Sequence, residues 1–282
     1  MRFDSRQCQT AALRKPKPIL SSIRGISHYV IPDNQVKPGV PIDHLYWIGM
    51  YIAEKSRPGD LVINLGDFWD MPSLSSYDKG KKAMEGRRYI KDVAAGNKGM
   101  ALLSEQFSKS DVRRILLRGN HEDRIDRAVN SDASLDGLLS MDQLESPGWE
   151  VIPFNKPIDL NGISYVHYFY NPMTGKALGG SALTRLAKLG HSFTQGHQQI
   201  LDYALRFPQT MGGRSQHGLI AGSCYLHEED YLGPQGNDSW MGIVVCHNVE
   251  NGSYDPKFVS LDSLCRRYTG QRLADYQPKL FA

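Results

Sequence analysis

The sequence predicts an α/β domain, and three observations across its 282 residues carry that expectation. Short apolar segments alternate with helix-patterned segments through the first half, as in consecutive βαβ units. Several of those apolar segments stop at an acidic or amide residue beside a glycine or proline, where a strand hands over to a loop. The second half then changes to a series of short strand-like runs. The length suits one large domain with a buried core better than two small ones.

Ile26–Ile31 is short and mostly apolar and ends at Pro32-Asp33, so it reads as a strand delivering an acidic side chain to its C-terminal edge. A helix is expected over 44–55, because Leu45, Ile48 and Ile52 recur at helical spacing after Asp43, which suits an N-cap. Residues 60–65, DLVINL, read as a buried strand stopped by Gly66-Asp67. Over 72–110 the chain turns polar and helical, and Gly80, Gly86, Gly96 and Gly99 break it up. That segment is expected to form a helical insertion or lid over the strand edge. Residues 112–117 form the next apolar strand, running into Arg118-Gly119-Asn120-His121, and a helical stretch follows over 122–144. Beyond it, 149–153, 163–167, 193–195, 218–221 and 241–246 read as strands, and Asn251-Gly252 as a hairpin turn.

Hydrophobic residues make up 40% of the chain, an ordinary share for a globular protein, and no apolar run reaches the roughly eighteen residues that a membrane span needs. Residues 1–25 stand apart as a basic arm that includes Arg14, Lys15, Lys17 and Arg24. The arm lacks the apolar centre and small-residue cleavage site of a secretory signal, so a cytoplasmic protein is expected. Cys8, Cys224, Cys246 and Cys265 show no C-x-x-C pairing, which points to reduced, packed thiols. A net charge of +3 is too small to argue for nucleic acid by itself. The arm and the cluster Lys79, Lys81, Lys82, Arg87, Arg88 and Lys91 read first as a solvated tail and a solvated helix face, with contact to a phosphate backbone as the alternative.

Five polar motifs fall at strand ends: Asp33-Asn34-Gln35, Gly66-Asp67-Phe68-Trp69-Asp70, Gly119-Asn120-His121-Glu122, His167, and Gly196-His197-Gln198-Gln199. Ligands of open α/β sheets bind beyond the carboxyl ends of the strands, so these motifs are expected to converge in one cleft. Carboxylate, imidazole and carboxamide are the donors that Mn²⁺, Fe and Zn²⁺ accept at catalytic sites with open positions. A histidine beside such a site becomes a useful acid when a carboxylate holds its ring, and Asp70 is suitably spaced to hold His121. Glu122 reads as a cap or a support for the ligands.

In these residues the chain resembles the calcineurin-like metallophosphoesterases, whose signature runs D-x-H, GD-x-x-D, GNH-D/E, a lone His and GH-x-H in that order. The resemblance covers roughly 26–199. It implies a sandwich of two mixed β-sheets flanked by helices, spanning 26–282, with two divalent ions. Mn²⁺ is the first choice, with Fe, Zn²⁺, Mg²⁺ or Ni²⁺ as alternatives. The resemblance makes Asp67 the bridging ligand, assigns Asn120, His167 and His197 to one ion, and starts the other site at Asp33. His121 would face the scissile phosphate, with Asp70 orienting it.

Two departures stand out. Gln35 and Gln199 occupy positions where the family has histidine, and both would serve the Asp33 ion. A glutamine offers only a carbonyl oxygen, so that site is expected to prefer Mn²⁺ or Mg²⁺ and to bind weakly. The substitution also resembles phosphoesterases encoded by tailed bacteriophages, which would place the protein in a host cytoplasm. The implied activity is hydrolysis of phosphate esters by metal-activated hydroxide, with phosphodiesters of nucleic acid or nucleotides favoured. Met71-Pro72 stand where protein phosphatases carry an arginine, so a phosphomonoesterase or protein phosphatase is the alternative, and a non-catalytic metal-binding module is the alternative of another class. His191, His217, His227 and His247 are expected to serve packing, and Arg124 and Arg127 read first as a solvated helix face, with contact to a phosphate as the alternative. The tyrosines and tryptophans are too scattered along the sequence to mark a base-stacking platform.

Overall fold

The computed structural model describes residues 25–209, 213–229, 232–237 and 239–282. The basic residues of the arm, Arg14, Lys15, Lys17 and Arg24, lie outside them, as does Cys8. The first half winds β1 (Ile26–Ile31), α1 (Asp43–Lys55), β2 (Leu61–Asn64), α2 (Tyr89–Gln106), β3 (Arg113–Leu117), α3 (Arg124–Ser131) and β4 (Glu150–Ile152). These four strands run parallel, as crossovers through helices require. The chain continues through β5 (Ile158–Leu160), β6 (Ile163–Val166), a small hairpin of β7 (Tyr170–Asn171) and β8 (Lys176–Ala177), α4 (Ala182–Leu189) and β9 (Phe193–Gln195). Then come β10 (Leu201–Arg206), β11 (Gln216–Ala221), α5 (Gly233–Asn237), β12 (Gly242–Glu250), β13 (Ser253–Ser260) and α6 (Leu261–Thr269).

Two mixed sheets result: a six-stranded one ordered β13-β12-β1-β2-β3-β4 and a five-stranded one ordered β10-β11-β9-β6-β5. Side-chain alternation assigns the layers. Val30, Ile63 and Leu117 of the first sheet meet Ile163, Tyr165, Leu219 and Ala221 of the second in one apolar layer. On the first sheet's other face, Tyr29, Ile31, Val62 and Leu116 pack against Leu45 and Ile48 of α1, Met100 and Leu103 of α2, and Leu261 and Leu264 of α6. Val166 and Phe193 turn to the second sheet's outer face and meet Leu186 of α4. The architecture is an α/β sandwich of two mixed sheets flanked by helices. Because β1 to β3 are covered on both sides, they read as continuous apolar runs, which made them easy to find in the sequence.

Several expectations are corrected. Asp43 opens α1 but does not cap it, since the N-cap residue is Ile42. The Asp43 carboxylate instead accepts from the Tyr276 hydroxyl and the backbone N–H groups of Lys279 and Leu280, anchoring the C-terminal segment. Residues 72–110 divide in two. Tyr89–Gln106 is the crossover helix between β2 and β3, with Val93, Met100 and Leu103 in the core, and so forms no lid. Residues 76–88 are the outward part, with Lys79, Lys81, Lys82 and Arg88 exposed and Arg87 paired to Asp78 at 2.8 Å. Over 122–144 only Arg124–Ser131 is α-helical, followed by short 3₁₀ turns at Ala133–Leu135 and Met141–Gln143. The Asn251-Gly252 turn joins β12 to β13, with φ of +50° and +85° as a two-residue hairpin turn demands. Cys224, Cys246 and Cys265 are free and buried. No described helix is long and apolar enough to cross a membrane.

Candidate metal centre

Parallel pairing aligns the carboxyl ends of β1, β2 and β3, with Ile31 opposite Asn64 and Asn64 opposite Leu116. In the second sheet Val166 pairs with Gln195, aligning the ends of β6 and β9. Asp33, Asp67, Asn120 and His121 therefore leave the first sheet beside His167 and His197 from the second. The loops that carry them are strained. Among the described residues, the only side chains other than asparagine at positive φ are Gln35, Asp67, Met71, His197 and Gln199, four of them in these motifs and Met71 directly after one. Such backbone persists when surrounding structure enforces it, and it marks functional sites. Glu122 supplies much of that enforcement here. Its carboxylate accepts from the backbone N–H groups of Asp67, Phe68, Trp69 and Gly119 at 2.7–3.1 Å, tying two strand-end loops together.

Asp67, His167 and His197 bring ligand atoms within 4.8 Å of one another. His167 Nδ1 lies 2.9 Å from the Leu65 carbonyl oxygen, which can only accept, so Nδ1 carries a proton and Nε2 is the nitrogen left to meet a cation or a second proton. Nε2 faces Asp67 Oδ2 at 3.2 Å and Asn120 Oδ1 at 2.9 Å. Three lone-pair donors aimed at one point repel unless a proton or a cation lies between them. Burial disfavours charge on His167, but Asp67 outweighs it and raises the imidazole to about 9. Burial likewise opposes ionisation of Asp67, yet His121 and His167 beside it hold the carboxyl well below its ordinary range. His197, lowered to about 4 by burial and by His167, carries a free lone pair at neutral pH.

Asp33 is fully buried. Its Oδ1 accepts from the His197 backbone N–H at 3.1 Å, while Oδ2 has no partner among the described residues. Gly196 makes room for it, since a Cβ there would lie 2.3 Å from Asp33 Oδ1. Burial pushes the Asp33 carboxyl up to about 7, with His167 opposing and Asp67 adding to the rise. An orphaned carboxylate oxygen and convergent ligand atoms fit a divalent cation as a donor set. Gln35 is buried, and its backbone N–H donates to the Asp67 carbonyl at 2.9 Å. Gln199 Oε1 accepts from the Tyr225 hydroxyl at 2.9 Å, so one of its two lone pairs is engaged.

His121 stands beside this cluster. Its backbone N–H donates to Asp67 Oδ1 at 2.9 Å, and its Nδ1 donates to Asp70 Oδ1 at 2.7 Å. Burial disfavours the imidazolium, but Asp67 and Asp70 raise its pKa above the ordinary value. Sequence reasoning missed Lys37, Glu229 and His227, which complete this arrangement. Lys37 Nζ reaches Asp70 Oδ2 at 3.1 Å and Glu229 Oε1 at 2.6 Å, and His227 Nε2 joins Glu229 at 2.7 Å. Arg124 is not a solvated side chain: it is 14% exposed, donates to the Asp70 carbonyl at 2.7 Å and faces His121 Nε2 at 3.1 Å. Its place three residues after His121, at the start of α3, was the available signal. Arg127 is half-exposed and donates to the Asn120 carbonyl. His191 lies outside the site and bonds only locally to the Leu189 carbonyl. His217 is held by Tyr203 and Ser215, and His247 by Ser27. Comparison with known protein families finds no family model that matches the chain, and comparison with curated proteins finds no match.

Proposed function

We propose that this chain is a metal-dependent phosphoesterase of the calcineurin-like kind, acting on phosphodiesters. One observation supports the reading above all: ligand atoms of Asp67, His167 and Asn120 converge beside a histidine held by its own carboxylate. Asp67, Asn120, His167 and His197 would hold one divalent ion, and Asp33, with Gln35 and Gln199, a second and weaker one. A cation bound there supplies Lewis acidity at a phosphoryl oxygen and lowers the pKa of water.

The remaining work falls to the chain. Asp70 fixes His121 through Nδ1, which presents Nε2 to the leaving oxygen as the site of proton transfer. Arg124 sits against that same nitrogen and is placed to transfer its donors to a phosphoryl oxygen when an ester enters. Buried ligand carboxylates and imidazoles exclude bulk water from around the phosphorus, which strengthens each of these contacts.

The test is metal analysis with hydrolysis of methyl p-nitrophenyl phosphate in the presence and absence of Mn²⁺. His121→Ala is expected to lower turnover about 10²-fold or more while keeping metal content, whereas Asp67→Ala should lose both. Undiminished turnover in the His121 variant would sink the assignment. The Tyr225 contact to Gln199 favours unequal sites, so one ion should titrate in well before the other.

A further inference from the structure

Three aromatic rings from two segments of the chain, Phe154, Tyr168 and Tyr170, meet at the edge of the metal cluster. The Tyr168 ring lies 4.5 Å from His197, 5.3 Å from Tyr170 and 5.6 Å from Phe154, and Phe154 lies 6.4 Å from His167. The chain order explains the meeting. Tyr168 and Tyr170 follow the ligand His167 out of β6, and Phe154 follows β4, the edge strand of the first sheet. One face of Tyr168 is taken up by His197. Tyr170 is 43% exposed, and Phe154 and Tyr168 are partly buried. Tyr170 is nonetheless fixed, because its hydroxyl accepts from Asn155 Nδ2 at 3.0 Å and meets the Tyr168 hydroxyl at 3.5 Å. A ring that is exposed yet held at its hydroxyl and packed on Tyr168 is a fixed stacking surface.

Cations accompany it. Arg127 is half-exposed and bonds the carbonyl of Asn120, a residue of the metal cluster. Exposed Lys156 follows Asn155, and exposed Lys176 pairs across the β7–β8 hairpin with Asn171, next to Tyr170. Exposed aromatic faces with Arg and Lys nearby are the features by which proteins hold unpaired nucleobases.

We propose that Tyr170, with Phe154 and Tyr168 beneath it, is a subsite for the nucleobase next to the scissile phosphate, which makes the substrate a single-stranded nucleic acid. The inference rests on the phosphodiesterase reading above and names its substrate class. Stacking tolerates all bases, so the subsite distinguishes nucleotides from other diesters without reading sequence. Its rings also pack on His167 and His197, and that contact must be separated from stacking.

Fluorescence anisotropy makes the separation, using labelled oligothymidylate and an abasic oligonucleotide of equal length, with the full chain in Mn²⁺-free buffer. The native protein should bind the base-bearing strand about tenfold more tightly. Tyr170→Ala should erase that preference while leaving abasic binding unchanged, and Tyr170→Phe should retain it. Equal affinity of the native protein for both strands, or a Tyr170→Ala variant weakened equally on both, overturns the subsite. Hydrolysis of methyl p-nitrophenyl phosphate, which carries no base, reads the catalytic assignment separately. Its absence alongside retained base preference removes the phosphodiesterase reading and leaves the subsite standing.

Discussion

Asp70 divides its carboxylate between two partners, giving Oδ1 to His121 and Oδ2 to Lys37. With Lys37 also bound to Glu229, the carboxylate has little freedom to rotate, and the imidazole it holds inherits that rigidity. Lys37 is therefore a positioning residue. Lys37→Met keeps the packing of the aliphatic stem and removes the charge. It should lower kcat on a small diester about tenfold with metal content unchanged. The decisive measurement is a double-variant cycle with His121→Ala: if Lys37 acts through His121, the pair should fall no further than His121→Ala alone. Additive losses would assign Lys37 a separate role. At this scale the sequence revealed the groups with strong local motifs, Asp67, Asn120, His121 and His197, whose glycine neighbours announce a strand end. Lys37 and Glu229 were invisible because their contact spans 192 residues and neither lies in a motif. Arg124 was visible by spacing, but an arginine on a polar helix is ordinarily solvated, and only tertiary packing overrides that preference.

Helix α2 shows why an element can be found while its purpose is misjudged. Gly80 and Gly86 have positive φ in the exposed loop before it, as breakers should. Gly96 and Gly99 lie inside the helix, where they serve close packing instead. A Cβ on Gly96 would lie 1.8 Å from Trp69 Cδ1, inside the indole. Trp69 also donates through Nε1 to Asn97 Oδ1 at 3.0 Å, so the loop that carries Asp67 and Asp70 rests directly on this helix. In a solvent-facing helix, Gly→Ala stabilises by about 1 kcal/mol. Here Gly96→Ala should destabilise by about 1–3 kcal/mol through overpacking, read by urea denaturation, and should lower diester turnover by shifting Trp69. Gly99 is the control, since its Cβ would meet only the methyl groups of Leu45 and Val36 at 3.1–3.4 Å. Gly99→Ala should change stability less. Equal effects at both positions would remove the indole from the explanation. No periodicity argument distinguishes a glycine that breaks a helix from one that admits an indole, because the indole arrives from another part of the chain.

The whole molecule depends on two sheets meeting across one apolar layer, and His28 makes a buried polar bridge across it. His28 on β1 is fully buried. Its Nδ1 meets the Tyr165 hydroxyl of β6 at 2.8 Å, and its Nε2 meets Asn161 Oδ1 at 3.0 Å. The Asn161 oxygen can only accept, so Nε2 carries the proton and Nδ1 accepts from the tyrosine, and the bridging ring is neutral. Burial lowers the imidazole from 6.5 to about 4, against smaller opposing contributions from Asn161 and Asp60. The sign follows from linkage. A group whose folded pKa lies below its unfolded value stabilises the fold fully above 6.5, and it loses that contribution as pH falls toward 4, because the unfolded chain takes up the proton first. One pKa unit corresponds to about 1.4 kcal/mol, so the stability of the native protein relative to His28→Gln should shrink by roughly 3 kcal/mol between pH 7.5 and pH 4. Subtracting the variant removes every other titrating group, including the histidines of the metal cluster. Urea denaturation in EDTA across that range provides the measurement. A difference that stays flat with pH would mean that His28 carries its charge in the folded protein, and the seam between the sheets would then need another account of how it tolerates a buried cation.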